Sequence, residues 1–131
     1  MTPRAYAAQY RQTAVSSAVL EASPHQLVAL MFAGFRDRVQ LATASLERGD
    51  TARKGQSITE AIAILGSLDG ALDHEAGGNI ATGLQSLYEY LQRRLVEANL
   101  HNDPAILREA DALIAEVQSA WNAIAPAAPA P

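Results

Sequence analysis

The sequence has no cysteine, and that absence excludes several chemistries together. Disulfide frameworks, thiolate nucleophiles, cysteine-ligated metals and covalently attached haem all need a residue the chain does not contain. Aromatic residues are few: two Phe, four Tyr and one Trp in 131 residues. Cations are short as well, with ten Lys and Arg against fourteen Asp and Glu and a net charge of −4. No basic stripe exists to displace counterions, so nucleic acid is not an expected partner. Long apolar runs are also missing. The longest, residues 27–35, is far short of the roughly 20 residues that cross a bilayer, and no stable membrane insertion is expected. Residues 1–20 carry Arg4 and Arg11 and no sustained apolar stretch, unlike a signal peptide. The expected location is the cytoplasm.

Catalytic and cofactor patterns are equally thin. A di-iron carboxylate bundle wants Glu-x-x-His pairs on two helices, and the chain has none. His25, His74 and His101 stand apart, and the Glu97/His101 pair is an ordinary neighbour contact on a helix surface. The glycines between Gly49 and Gly55 lack the following Lys-Ser or Lys-Thr of a phosphate cradle. Neither a catalytic residue, a metal site nor a cofactor is expected, and binding through apolar surface is the remaining kind of work.

What the chain does contain is helix. Alanine and leucine dominate, and nothing alternates with a period of two. Ser23-Pro24 reads as an N-cap followed by proline at the first helical position. The helix that follows should run from Pro24 to Glu47 and stop at Arg48-Gly49-Asp50. Its apolar residues, from Leu27 through Phe32 and Phe35 to Leu46, cover roughly 200° of the circumference, about twice what a surface helix needs. Such a helix sits between several neighbours or shares its surface with another chain.

Asp50 can cap a second helix, with Ser57-Ile58-Thr59-Glu60 as a later possible start. The earlier start is preferred, and the period through Ile58, Ala61, Ile62, Leu65, Leu68 and Leu72 continues to a stop at Gly77-Gly78. Asn79 would cap a third helix burying Ile80, Leu84, Leu87, Leu91 and Leu95, with Tyr88 and Tyr90 half-buried at its edges and their hydroxyls wet. It should end near Asn99. Asp103-Pro104 repeats the cap-then-proline grammar and opens a fourth helix burying Ile106 through Ile114 to Trp121 and Ile124, with Trp121 a core plug near one end. Short connections make the expected fold all-α, an antiparallel up-down-up-down four-helix bundle over residues 23–124. Residues 125–131 form an Ala/Pro tail expected to be disordered. Residues 1–22 are a separate segment, partly mobile, with a weak helical period in Tyr6, Tyr10, Val15 and Val19. It reads either as a loose terminus docking a short helix or as a movable segment whose tyrosines cover an apolar groove.

Several blocks, in order, resemble the FliS family of flagellar secretion chaperones. They are Tyr10 with Ala22-Ser23-Pro24-His25-Gln26-Leu27, then Gly49-Asp50 with Lys54-Gly55. The third-helix block is the most specific: Gly77-Gly78-Asn79-Ile80-Ala81, Leu87-Tyr88-Glu89-Tyr90, Arg93-Arg94-Leu95 and Ala98-Asn99-Leu100, with Ala120-Trp121 near the end. The likeness spans residues 6–124. The family often has an acidic residue before the glycine of the first helix, where this chain has Ala33.

The resemblance implies a cytosolic, non-enzymatic chaperone that binds the C-terminal region of flagellin and prevents premature polymerisation. It would hold the subunit competent for flagellar type III secretion and meet the export gate as a chaperone–flagellin complex. It also favours the movable-segment reading of the N-terminus. The candidate partner surface is Tyr6, Tyr10, Val15 and Val19 of the leading segment, Leu27, Met31, Phe32 and Phe35 of the first helix, and Tyr88 of the third. Spacing does not separate groove from core among them. The alternative is a self-assembling helical structural protein, in which the same apolar surplus joins identical subunits.

Overall fold

Four side-chain caps set the helix starts. The computed structural model describes residues 22–125. The expectations for the leading segment and the Ala/Pro tail therefore lie outside the described residues, apart from Ala22 and Ala125 at their edges.

Helix α1 is Pro24–Glu47. The Gln26 amide donates to Ser23 Oγ at 3.2 Å and the Ser23 amide donates to Gln26 Oε1 at 2.8 Å, a reciprocal box that satisfies two orphan donors. Gly49, at φ 75°, supplies the left-handed turn after the helix. Asp50 then caps α2, Thr51–Gly70, accepting from the Arg53 amide at 3.1 Å. The earlier of the two possible starts is the real one.

The end of α2 departs from expectation. The helix stops at Gly70 and does not reach Gly77-Gly78. Leu72 still packs against the core, so the apolar period runs on through a turn that is no longer helical. Asp73, and not Asn79, caps α3 (His74–His101) by accepting from the Ala76 amide at 3.0 Å. Gly78 lies inside α3 with φ 50° and ψ −123°, a backbone state that only glycine adopts without strain, and it breaks the helix after its first turn. Asn102, in the left-handed conformation, ends α3. Asp103 caps α4, Pro104–Ala123, accepting from the Ala105 amide at 2.9 Å.

The helices pack in a ring, α1 on α2 and α4, and α3 on α2 and α4. With connections this short, consecutive helices are antiparallel and the fold is a four-helix bundle. Its centre is built from Phe35 and Val39 of α1, Ile58 and Leu65 of α2, Leu91 and Leu95 of α3, and Leu107 and Ile114 of α4. Every regular element among the described residues is a helix.

Polar contacts tie the ring together. Arg36 Nε donates to Asp111 Oδ1 at 2.8 Å and Arg36 Nη1 to Gln118 Oε1 at 2.8 Å, joining α1 to α4. The hydrogen bond to Asp111 raises the Arg36 pKa further above its usual value. The hydrophobic period gives no sign of Lys54. Its side chain is only 4% exposed, and Nζ donates to the Asn99 carbonyl at 3.0 Å and to Asn102 Oδ1 at 2.6 Å. A buried ammonium is tolerable because both partners are in place, and it pins the start of α2 to the end of α3.

Candidate partner-binding groove

The start of α1, the end of α2, the start of α3 and the end of α4 meet at one end of the bundle, and a groove of about 300 Å³ opens there. Its walls are Val28 and Phe32 of α1, Leu68 of α2, Leu72 of the turn, Ile80, Leu84 and Tyr88 of α3, and Trp121 of α4. The sequence explains the opening. Ala71, Ala76, Gly77 and Ala81 put small side chains where the helix ends converge, and the break at Gly78 turns the first turn of α3 aside. At Gly77 the backbone is tightly approached, for a Cβ there would lie 2.9 Å from the Ala81 Cβ.

The lining is almost wholly apolar. Asp73 is its one charged member, and its carboxylate is engaged in capping α3. Tyr88 is 2% exposed, and burial, with the negative charge of Asp69 as a lesser cause, pushes its pKa up to about 12. The phenol therefore stays neutral at physiological pH. Tyr90, across the helix, donates its hydroxyl to Glu109 at 2.6 Å on the outer α3–α4 seam. Of the two tyrosines expected to be half-buried, Tyr90 is so and Tyr88 is not, being enclosed.

The structure sorts the candidate residues. Phe32 and Tyr88 line the groove from beneath, both nearly inaccessible. Phe35 is 0% exposed in the middle of the core. Leu27 and Met31 are half-buried on α1 and do not line the groove, and Met31 packs against the core. Tyr6, Tyr10, Val15 and Val19 lie outside the described residues.

Sequence reading missed Val28, Leu72, Ile80, Leu84 and Trp121 as groove residues. The helical period puts Ile80 on the buried stripe, yet it is 76% exposed at the groove's rim. Ile124, also expected in the core, is exposed beyond the end of α4. Trp121 is a groove wall and not an enclosed plug. The available signal was the small-residue cluster around Gly77-Gly78 beside large aliphatics.

A second concavity of about 240 Å³ lies between α1 and α4, lined by Gln40, Thr43, Glu47, Arg108 and Asp111 around Val39 and Leu107. No group of three or more His, Asp or Glu side chains arranged to hold a metal occurs among the described residues. No helix there is long and apolar enough to cross a membrane.

A family profile described as "Flagellar protein FliS" matches residues 5–128. The chain belongs to the FliS family. It is 43% identical over 120 residues to the flagellar secretion chaperone FliS of Salmonella typhimurium, covering 91% of this chain and 89% of that protein. It is 44% identical over 116 residues to the flagellar secretion chaperone FliSB of Pseudomonas aeruginosa, covering 88% and 92% respectively. The FliS of Bacillus subtilis is 28% identical over 112 residues, covering 86% of this chain and 80% of its own length. The FliS match takes in both the blocks quoted from the sequence and every residue of the groove.

Proposed function

We propose that this chain is a flagellar secretion chaperone that binds the C-terminal region of flagellin, with the apolar groove at the bundle end receiving part of it. The observation that carries the reading is the groove itself, an apolar cleft of about 300 Å³ in a chain of the FliS family. Such a cleft suits the apolar face of an amphipathic helix, recognised by side chains spaced one turn apart. A guest that is disordered when free folds as it docks, and the ordering cost keeps a large interface releasable. Covered in this way, flagellin would be held from premature polymerisation in the cytoplasm and delivered to the export gate as a complex. The work is non-enzymatic and needs no cofactor.

Flagellin lacking its C-terminal region should not bind, whereas the intact protein should bind with a clearly negative heat-capacity change, the mark of apolar burial. Calorimetry on the two forms decides it; equal affinities would overturn the mode. Sedimentation with and without a C-terminal flagellin peptide separates this reading from self-assembly, in which the chain would associate without any guest.

The leading segment belongs to the same proposal. Tyr6, Tyr10, Val15 and Val19 are proposed to occupy part of the flagellin surface in the free chain. A competitor in the groove lowers apparent affinity by the fraction of time the groove is open. Tyr10→Ala should therefore tighten flagellin binding if Tyr10 acts as a lid and weaken it if Tyr10 touches the guest. If neither affinity nor amide-exchange protection of α1 changes, Tyr10 has no part in the site.

A further inference from the structure

Trp121, the chain's one tryptophan, forms a wall of the groove, and three different contacts hold it there. Its face stacks on the His25 ring, with centroids 4.4 Å apart and planes 8° from parallel. Its ring meets Phe32 in an edge-to-face arrangement at 6.3 Å and 72°. Its Nε1–H donates to the His25 carbonyl oxygen at 3.0 Å. An indole held at its face, its edge and its N–H cannot change rotamer without giving up all three.

His25 is fixed in turn. It is the second residue of α1, inside the Ser23–Gln26 capping box that sets the first turn of that helix. Its side chain makes no hydrogen bond among the described residues, and Nε2 is shut away from solvent without a partner. The imidazole is therefore held by stacking and not by polar bonds, and what it offers Trp121 is a flat plate. The contact joins the first turn of α1 to the last turn of α4, residues 96 apart in sequence, at the end of the bundle where the groove opens.

We propose that His25 is a positioning residue for the groove: by stacking on Trp121 it sets the indole in the orientation a guest helix meets. The inference rests on the proposed use of the groove. Its physical content is preorganisation. A large side chain that is immobile before the guest arrives need not be immobilised by the guest, so its ordering cost is met on folding and not on binding.

Two variants and two readouts test it. In His25→Ala the plate is gone, and acrylamide should quench Trp121 fluorescence more readily in the free protein. Affinity for a flagellin C-terminal peptide should fall about three- to tenfold, within the cost of re-immobilising one large side chain. His25→Phe keeps a flat ring and removes the unpaired nitrogen, so it should restore both quenching protection and affinity. If the alanine variant does not fold, His25→Leu supplies apolar bulk without a flat face and should show the same two losses.

Unchanged quenching in the alanine or leucine variant overturns the holding of Trp121 by His25 whatever the partner. Looser Trp121 with affinity within twofold of the parent, even alongside a lower melting temperature, reduces His25 to a structural residue and overturns its role in docking. Failure of a folded His25→Phe chain to restore affinity overturns the stacking argument. A parent chain that does not bind the peptide overturns the proposed function and with it the docking role, while the quenching comparison still decides whether His25 holds Trp121.

Discussion

Changing Ile80 to glutamate should weaken binding of the flagellin C-terminal region by about a hundredfold while leaving the bundle as stable as the parent. Ile80 is 76% exposed in the free chain, so folding hardly depends on it. Surface substitutions of this kind shift stability by only about 0.5 kcal/mol either way, and glutamate is at least as good a helix former as isoleucine. The bound state is different. A side chain at the groove rim is covered by a docked helix, and covering an isoleucine contributes roughly 1.5–3 kcal/mol. Glutamate gives up that term and adds the desolvation of a carboxylate with no cation among the lining residues to receive it. Together these exceed about 2.7 kcal/mol, the hundredfold mark. Calorimetry with the flagellin peptide and thermal unfolding by circular dichroism read the two halves separately. Affinity within threefold of the parent would mean that the guest does not use this groove. A large drop in melting temperature would mean that Ile80 supports the fold.

The helix starts were the most legible part of this protein because they are local. Ser23, Asp50 and Asp103 each sit within three residues of the amide they cap, and a cap followed by proline reads the same in sequence and in structure. The end of α2 was not legible because two signals pointed apart. Leu72 keeps the apolar period of α2, yet it packs from a turn, and Asp73 rather than Asn79 begins the next helix. Ile80 keeps the spacing of the buried stripe, but it lies just after the glycine break at Gly78, at the rim of the groove, and stays exposed.

Lys54 shows a different limit. Its partners Asn99 and Asn102 lie 45 and 48 residues away, and nothing local marks it as buried. The candidate site was legible only as a surplus: α1 carries more apolar surface than one neighbour can cover. Dividing that surplus requires knowing which side of α1 each neighbour takes. Val28 and Phe32 face the open end, whereas Phe35, Val39 and Ala42 face the closed core.

That division predicts opposite behaviour for two aromatic residues on one helix. Phe35→Ala should lower stability by about 3–5 kcal/mol, the usual cost of emptying a fully enclosed aromatic site. Phe35 is 0% exposed, and its neighbours come from a packed centre that can collapse only in part. Domains of this size are stable by about 5–15 kcal/mol, so the change removes a large share of the total. The melting temperature should fall by roughly 10 °C or more. Affinity for the flagellin peptide, measured well below that transition, should stay within about threefold of the parent, because Phe35 is not part of the groove lining. Phe32 lines the groove floor and meets the edge of Trp121, so Phe32→Ala should lose stability and affinity together. Thermal unfolding and calorimetry on both variants give four numbers, and the pattern decides. A Phe35→Ala chain that melts like the parent yet binds poorly would put Phe35 on the partner surface and overturn the core assignment of α1. Loss of stability alone at Phe35, beside loss of both at Phe32, would locate the edge between core and groove within the one turn that separates them.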